Sequence, residues 1–290
     1  MTGFYLLRIL SWLVYAMPLS ILYFCSDSIF TIFFYLVRYR RSVVEINLAN
    51  SFPEKTEKER YLIEKKFYHH LCDCFLETLY FDWITKEEVK KRVKFINPEM
   101  ANDYMDQGRQ VIVLMGHYNN WECFNNWGLH TKHRSYAIYK KLRNSAFEKF
   151  YIHLRSRFGS APLERSLTFR QLLDDSKESI PGLSLFLVDQ TPRAFDIHYW
   201  TTFLNQETAV LVGPEKVATK LNSVVLFGIT RKVKRGFYEV EFVLITDKAK
   251  KYRPPLRVNL FLAPERGPAL AVRSSRRGTR APMHSPHQER

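Results

Sequence analysis

The chain has 290 residues and a formal charge of +15, with 44 Lys+Arg against 29 Asp+Glu, enough length for one substantial core or one domain with appendages. That surplus points to an anionic partner: nucleic acid, an anionic lipid surface or an acidic carrier protein. The 22 Phe and 16 Tyr suit a bilayer interface better than a soluble nucleic-acid binder, and no DNA- or RNA-binding signature is present.

Residues 4–25 are almost uninterrupted apolar, roughly the 20 residues that cross a hydrocarbon core. Arg8 is close enough to the end to snorkel, and Pro18 would kink a helix. A second apolar run, 29–37, closes on Arg38, Arg40 and Arg41, a basic flank of the kind that marks the cytoplasmic side. The charged start and small-residue cleavage site of a signal peptide are missing. Residues 1–41 therefore read as a membrane anchor, one span or a re-entrant hairpin, with a buried core helix as the alternative.

Ser51, Phe52 and Pro53 make a turn after a linker, and a charged helix runs from 54 to about 80, with Leu62, Phe67, Leu71, Phe75 and Leu79 near helical spacing. His69, His70, Cys72, Asp73 and Cys74 crowd together there, but they match no zinc spacing and no second ligand pair follows, so no metal site is expected. None of Cys25, Cys72, Cys74 and Cys123 forms a C-x-x-C pair, which argues for a reducing compartment. A short helix follows at 86–93.

The run VIVLM at 111–115 reads as a buried strand. Gly116 permits a sharp turn, and His117 and Glu122 follow. Five helical steps separate two side chains by about 140°, so these two meet only if His117 lies on the turn and Glu122 in the first helical turn. They would then form a dyad in which the imidazole takes a proton and the carboxylate fixes its tautomer. Strands at 135–138, 183–188, 223–229 and 237–245 alternate with helices at 145–158 (carrying Arg155 and Arg157), 167–175 and 215–221. The alternation predicts an α/β fold, a mixed sheet flanked by helices. Beyond Tyr252 the periodicity stops among repeated prolines, and residues 253–290 hold eight arginines against two glutamates, six of the fifteen surplus charges. The chain thus divides into an anchor (1–41), a catalytic domain (42–250) and an atypical basic tail (251–290) whose composition reads as disordered.

GHYNNWE at 116–122 resembles the H-x4-D/E motif of the late acyltransferases of lipid A biosynthesis, bacterial lauroyl/myristoyl transferases related to the glycerolipid acyltransferases. Further stretches are similar to that family: NSFPE at 50–54, KFYHHLCD at 66–73, LVDQTP at 187–192, IHYWTTFL at 197–204 and GPEK at 213–216. The resemblance covers about residues 1–250; the family's closing helix and its Trp- and Arg-containing segment have no counterpart after Asp247. It implies transfer of an acyl chain from an acyl carrier protein thioester to a hydroxyl of a lipid A precursor, on the cytoplasmic face of a bacterial inner membrane. The implied partners are acyl carrier protein, the lipid A precursor and membrane lipids, not nucleic acid, with acyl carrier protein thioester as co-substrate and no cofactor.

A hydroxyl is a poor nucleophile near neutral pH, so a base must take its proton; the resemblance assigns His117 as base and Glu122 as its partner. No Ser or Cys sits in a nucleophile elbow, so no acyl-enzyme is needed. Cys123, about 100° round a helix from Glu122, reads as a packing residue. The oxyanion and the acceptor phosphates need donors. Arg143, Arg165 and Arg170 are candidates, and the resemblance implies that Arg165 or Arg170 is the family's functional arginine. Asp189, at the end of a strand where α/β sites gather, is implied as part of the site. Lys140, Lys141 and Arg143 form a basic cluster that suits an acidic carrier or lipid phosphates. His198, Tyr199 and Trp200 fit either a pocket lining or aromatic core packing. The same dyad would serve a lysophospholipid or aminolipid acceptor, and the charge alone also fits a non-catalytic binder of membranes or anionic ligands.

Overall fold

A computed structural model of the chain describes residues 2–192 and 194–251; the tail expected to be disordered lies, from residue 252 on, outside the described residues. The apolar N-terminal run is not one helix. It breaks before Pro18 into α1 (Thr2–Ala16) and α2 (Leu19–Thr31), and α2 continues as a π-helical stretch, Ile32–Val37. Leu19–Val37 is long and apolar enough to cross a membrane by length and composition. Arg38 and Arg40, both at φ 52°, turn the chain into α3 (Arg41–Ser51), a helix where a linker was expected.

The long helix α4 (Glu57–Phe81) starts at a capping box in which Thr56 and Glu59 satisfy each other's backbone N–H groups. The N-terminal helices run antiparallel along it. Partner numbers on α4 and the turn after it fall as N-terminal numbers rise: Ser11 donates to Asp82 (2.5 Å), Tyr23 to Glu77 (3.1 Å), Ser26 to Asp73 (2.7 Å) and Arg41 to Glu64 (2.8 Å). Val14 and Leu22 join the main core, so the N-terminal segment is built into the domain along its length.

Next come α5 (Lys86–Arg92), β1 (Val93–Phe95), α6 (Glu99–Asp106), β2 (Val111–Met115), a 3-10 stretch (Trp121–Leu129), β3 (Arg134–Tyr139), α7 (Ser145–Ser156), β4 (Ala161–Glu164), α8 (Arg165–Lys177) and β5 (Gly182–Leu187). A hairpin of β6 (Trp200–Phe203) and β7 (Gln206–Ala209), then α9 (Gly213–Leu221), β8 (Val224–Lys234) and β9 (Phe237–Thr246), complete the domain. The main sheet has the order β1-β9-β8-β2-β5-β3-β4, parallel except for the antiparallel β8–β9 hairpin. It is the mixed, helix-flanked α/β sheet that the alternation of elements predicts. Side chains of β2 alternate between two cores: Val111, Val113 and Met115 pack beneath α1, α2 and the Trp127 cluster, while Ile112 and Leu114 pack with Leu172 of α8 and Val217 of α9. Covering both faces makes the strand a continuous apolar run. The short β1 and β4, α6 and the β6–β7 hairpin went unforeseen, and the expected α-helix after His117 is 3-10.

The 3-10 stretch is clamped at its far end. A Cβ on Gly128 would lie 2.2 Å from the Phe158 carbonyl oxygen and 2.8 Å from the Gly159 carbonyl carbon, backbone that cannot step aside cheaply. Gly128→Ala is expected to destabilise the fold by about 1–3 kcal/mol, the usual cost of overpacking, read as a lower denaturant midpoint with unchanged slope in detergent.

Candidate active site

The parallel pairing of β2 with β5 matches Met115 to Leu187. Counting two residues on from each strand end brings His117 opposite Asp189. The His117 backbone N–H donates to Asp189 Oδ2 (2.7 Å), and its Nδ1 lies 2.6 Å from Oδ1. A carboxylate only accepts, so the network assigns the proton to Nδ1 and leaves Nε2 with a lone pair. Nε2 is 3.3 Å from the Gln190 amide, and the ring meets Trp121 edge-on at 4.8 Å.

Glu122 is elsewhere. Its Oε1 accepts from Arg155 Nη2 (2.6 Å), and its Oε2 from Asn125 Nδ2 (2.6 Å) and Arg155 Nε (3.2 Å). The expected meeting of His117 with Glu122 is replaced by two pairs, His117–Asp189 and Glu122–Arg155. The reason is that the chain after His117 is a loop and then a 3-10 helix, not an α-helix carrying Glu122 back toward the turn. Burial pushes the Glu122 carboxyl up, but the charge and hydrogen bonds of Arg155, with that of Asn125, outweigh it and hold the group below the usual carboxylate range. Burial likewise disfavours the Arg155 charge, and Glu122 more than restores it.

The loop from His117 to Asn120 is pinned from below. Asn119 takes a left-handed conformation (φ 53°) and donates to the Thr230 carbonyl (2.6 Å). Asn120 donates to Glu77 Oε2 (2.9 Å), which also accepts from Tyr238 (2.6 Å). Burial raises the Glu77 carboxyl's pKa, partly opposed by these two donors.

A cleft of about 1140 Å³ opens above His117. Arg143 and Arg165 line it, as do Lys140, Lys141, Lys216 and His198, giving a cationic mouth. Arg165 also pairs with Asp196 at 3.3 Å. Arg170 is exposed on α8 and is not among the cleft-lining residues. Trp200 is exposed on β6. Cys123 is buried in the core, as a packing residue should be. Arg155, Tyr151, Trp121 and Gln190, to which sequence reasoning gave no role, all face the cleft. The usable signal for Arg155 was a charge on the apolar face of its helix, one residue from buried Leu154 and one turn from Tyr151.

A sequence model described as "Bacterial lipid A biosynthesis acyltransferase" matches residues 1–248. The chain belongs to that family. It is therefore an acyltransferase of the lipid A type, and the family implies a lipid A precursor as acceptor. The match stops at residue 248, close to where the resemblance in the sequence also ends. No curated protein gives a significant match to the chain.

The Glu122–Arg155 pair makes a pH prediction. With a folded-state pKa below the unfolded value of 4.5, Glu122 contributes stability that is fully present above about pH 4.5 and lost as pH falls through the depressed value. Glu122→Gln leaves Arg155 buried without its counter-charge, an expected cost of about 3–5 kcal/mol at pH 7. Denaturant midpoints of wild type and variant should converge as pH is lowered below 4.5; a constant gap contradicts the assignment.

Proposed function

We propose that this acyltransferase moves a fatty acyl chain from an acyl carrier protein thioester to a hydroxyl of a lipid A precursor, at the cytoplasmic face of a bacterial inner membrane. The observation that carries the reading is His117: Asp189 holds it through both its backbone N–H and Nδ1, so Nε2, with the Gln190 amide beside it, is left as the ring's basic nitrogen at the cleft. In the proposed step Nε2 takes the acceptor hydroxyl's proton as the oxygen attacks the thioester carbonyl. The tetrahedral intermediate collapses, the C–S bond breaks, and the imidazolium returns the proton to the leaving thiolate. Asp189 keeps the tautomer and steadies the imidazolium, the place that the sequence reading gave to Glu122. Glu122 and Arg155 instead form the charged wall beside the base. Arg143 and Arg165 supply donors for the oxyanion and for acceptor phosphates, and Lys140 and Lys141 extend the cationic mouth away from the reacting atoms.

The same cations fit an acidic carrier protein, and the apolar N-terminal helices with their basic flank support a membrane location. No acyl-enzyme is required, since Cys123 is buried and its thiol is pushed far up by burial.

Incubation with acyl carrier protein thioesters and a lipid A precursor, read by product mass, tests the reaction. Wild type should give acylated product and His117→Ala none. Asp189→Asn should lower kcat by about 10²–10⁴-fold with KM little changed. Equal activity of His117→Ala and wild type would refute the base; product formed only on a lysophospholipid or aminolipid would redirect the acceptor.

Reversing Lys140 and Lys141 to Glu should raise KM for the carrier thioester several-fold, with kcat retained. Added salt should bring wild type toward the variant, because these contacts act through screened charge.

A further inference from the structure

The N-terminal helices are apolar nearly all round: Val14, Leu22, Phe30 and Phe34 are buried against the domain, and the outer side is apolar as well. Among the inward residues Ser11, Tyr23 and Ser26 are hydrogen-bonded into the domain, and half-exposed Asp27 pairs with Arg235 at 2.5 Å and with His69 at 2.8 Å. The outward faces of the helices carry bare apolar side chains: Leu6 is 62% exposed, Phe24 72% and Leu36 75%, with Ile9, Leu13 and Ile32 between them. A surface helix built for water is polar on its outer face. A groove of about 550 Å³ beside α1, lined by Phe4, Tyr5, Ile9 and Trp12 against Trp83, extends the apolar surface.

We propose that α1 and α2 lie in the plane of one leaflet as a docking face for a bilayer carrying anionic lipid, and that neither crosses it. Three observations carry this. First, α1 has 15 residues, about 22 Å of helix at 1.5 Å per residue, short of a hydrocarbon core of about 30 Å. Second, α2 is long enough only together with its π-helical continuation, and Asp27 falls near the middle of that stretch. A crossing would carry Asp27, its partner Arg235 and the adjoining Asp73, His69 and Lys232 to the bilayer centre, where each ionised side chain is expensive. The antiparallel contacts along α4 mean that α2 cannot cross without taking α4 with it. Third, the apolar face ends at exposed Arg38, Tyr39 and Arg40, charge and aromatic character suited to anionic headgroups. In this orientation the plane of the membrane runs beside the cleft: α1 packs on α7, where a Cβ on Gly3 would touch the Ala146 side chain, and α7 supplies Tyr151 and Arg155 to the cleft wall. An acceptor could then move from lipid to His117 without leaving the interface.

The inference rests on the proposed membrane location and not on the reaction. Full-length chain would be bound to sealed phosphatidylglycerol–phosphatidylethanolamine vesicles, with spin-labelled cysteines placed singly at Leu6, Leu13, Phe24, Ile32 and Leu36 in a Cys25→Ser background. Variants that keep the parent's unfolding midpoint would be compared for depth from oxygen and nickel accessibility. The in-plane dock predicts one shallow depth at all five positions, about 5–10 Å below the phosphates, and labelling of cysteines at Ser20 and Val37 by an impermeant maleimide from the same side. Depth peaking near Phe24, with opposite-side labelling of Ser20 and Val37, overturns the dock while leaving the membrane location intact. Failure to bind vesicles, with spin–spin coupling that grows with protein concentration, assigns the face to a second copy and overturns both. The double variant Arg38→Glu and Arg40→Glu should weaken partitioning to anionic vesicles by about tenfold or more, and leave it unchanged on phosphatidylcholine; equal binding to both would overturn the anionic preference.

Discussion

The site depends on the register between two neighbouring parallel strands. β2 and β5 are far apart in sequence, and their pairing sets Met115 beside Leu187. Because parallel strands end at the same edge, both chains leave the sheet together, and two residues later each presents its polar side chain to the other. One step of slip in that register would turn every side chain of β2 to the opposite face, and the close packing of differently sized side chains in the two cores opposes it. The His117–Asp189 contact is thus specified by hydrophobic packing several residues away.

Beneath this contact the molecule buries charge in two places. Glu122 and Arg155 neutralise each other in the cleft wall, and Glu77 gathers Asn120, Tyr238 and Tyr23 under the loop. Such arrangements are weak sources of net stability, and an apolar substitute of the same volume would hold the fold as well. What they provide is direction. Asn119 in its left-handed conformation and Asn120 on Glu77 stop the loop from relaxing in the space between the strand and the 3-10 helix, so the imidazole keeps one orientation toward the cleft.

How much of this the sequence disclosed depended on the range of the interactions. The VIVLM strand, the Gly–His turn and the long α4 were legible because their signals are local: an apolar run, a flexible residue and a periodic stripe. The motif pointed to the loop that lies beside the cleft, and its spacing suggested Glu122 as the partner of His117 because a helix was expected to follow. The true neighbour lies 72 residues on, and only strand register brings it there. Arg155 was hidden for a related reason: a single inward-facing charge has no visible partner until α7 is docked. β1 and β4, with three and four residues, are too short to show alternation. The β6–β7 turn uses Leu204 and Asn205 at positive φ, where Asn and Gly give the recognisable signal and Leu does not.

The antiparallel course of the first two helices along α4, fastened by Arg235, has a temporal side. Asp27 and Arg235 are 208 residues apart, and among the described residues edge strand β1 pairs only with β9, near the end of the domain. At ordinary rates of 5–20 residues per second, roughly 10–40 s separate the emergence of α2 from the ribosome and the arrival of the arginine that closes its polar face. Through that interval the apolar side of the nascent chain is complete and the polar side is not. Assembly is therefore sequential: the oldest part of the polypeptide waits for the youngest, and a chain cut short before Arg235 would leave β1 without β9 and the Asp27 carboxylate with His69 but without its arginine.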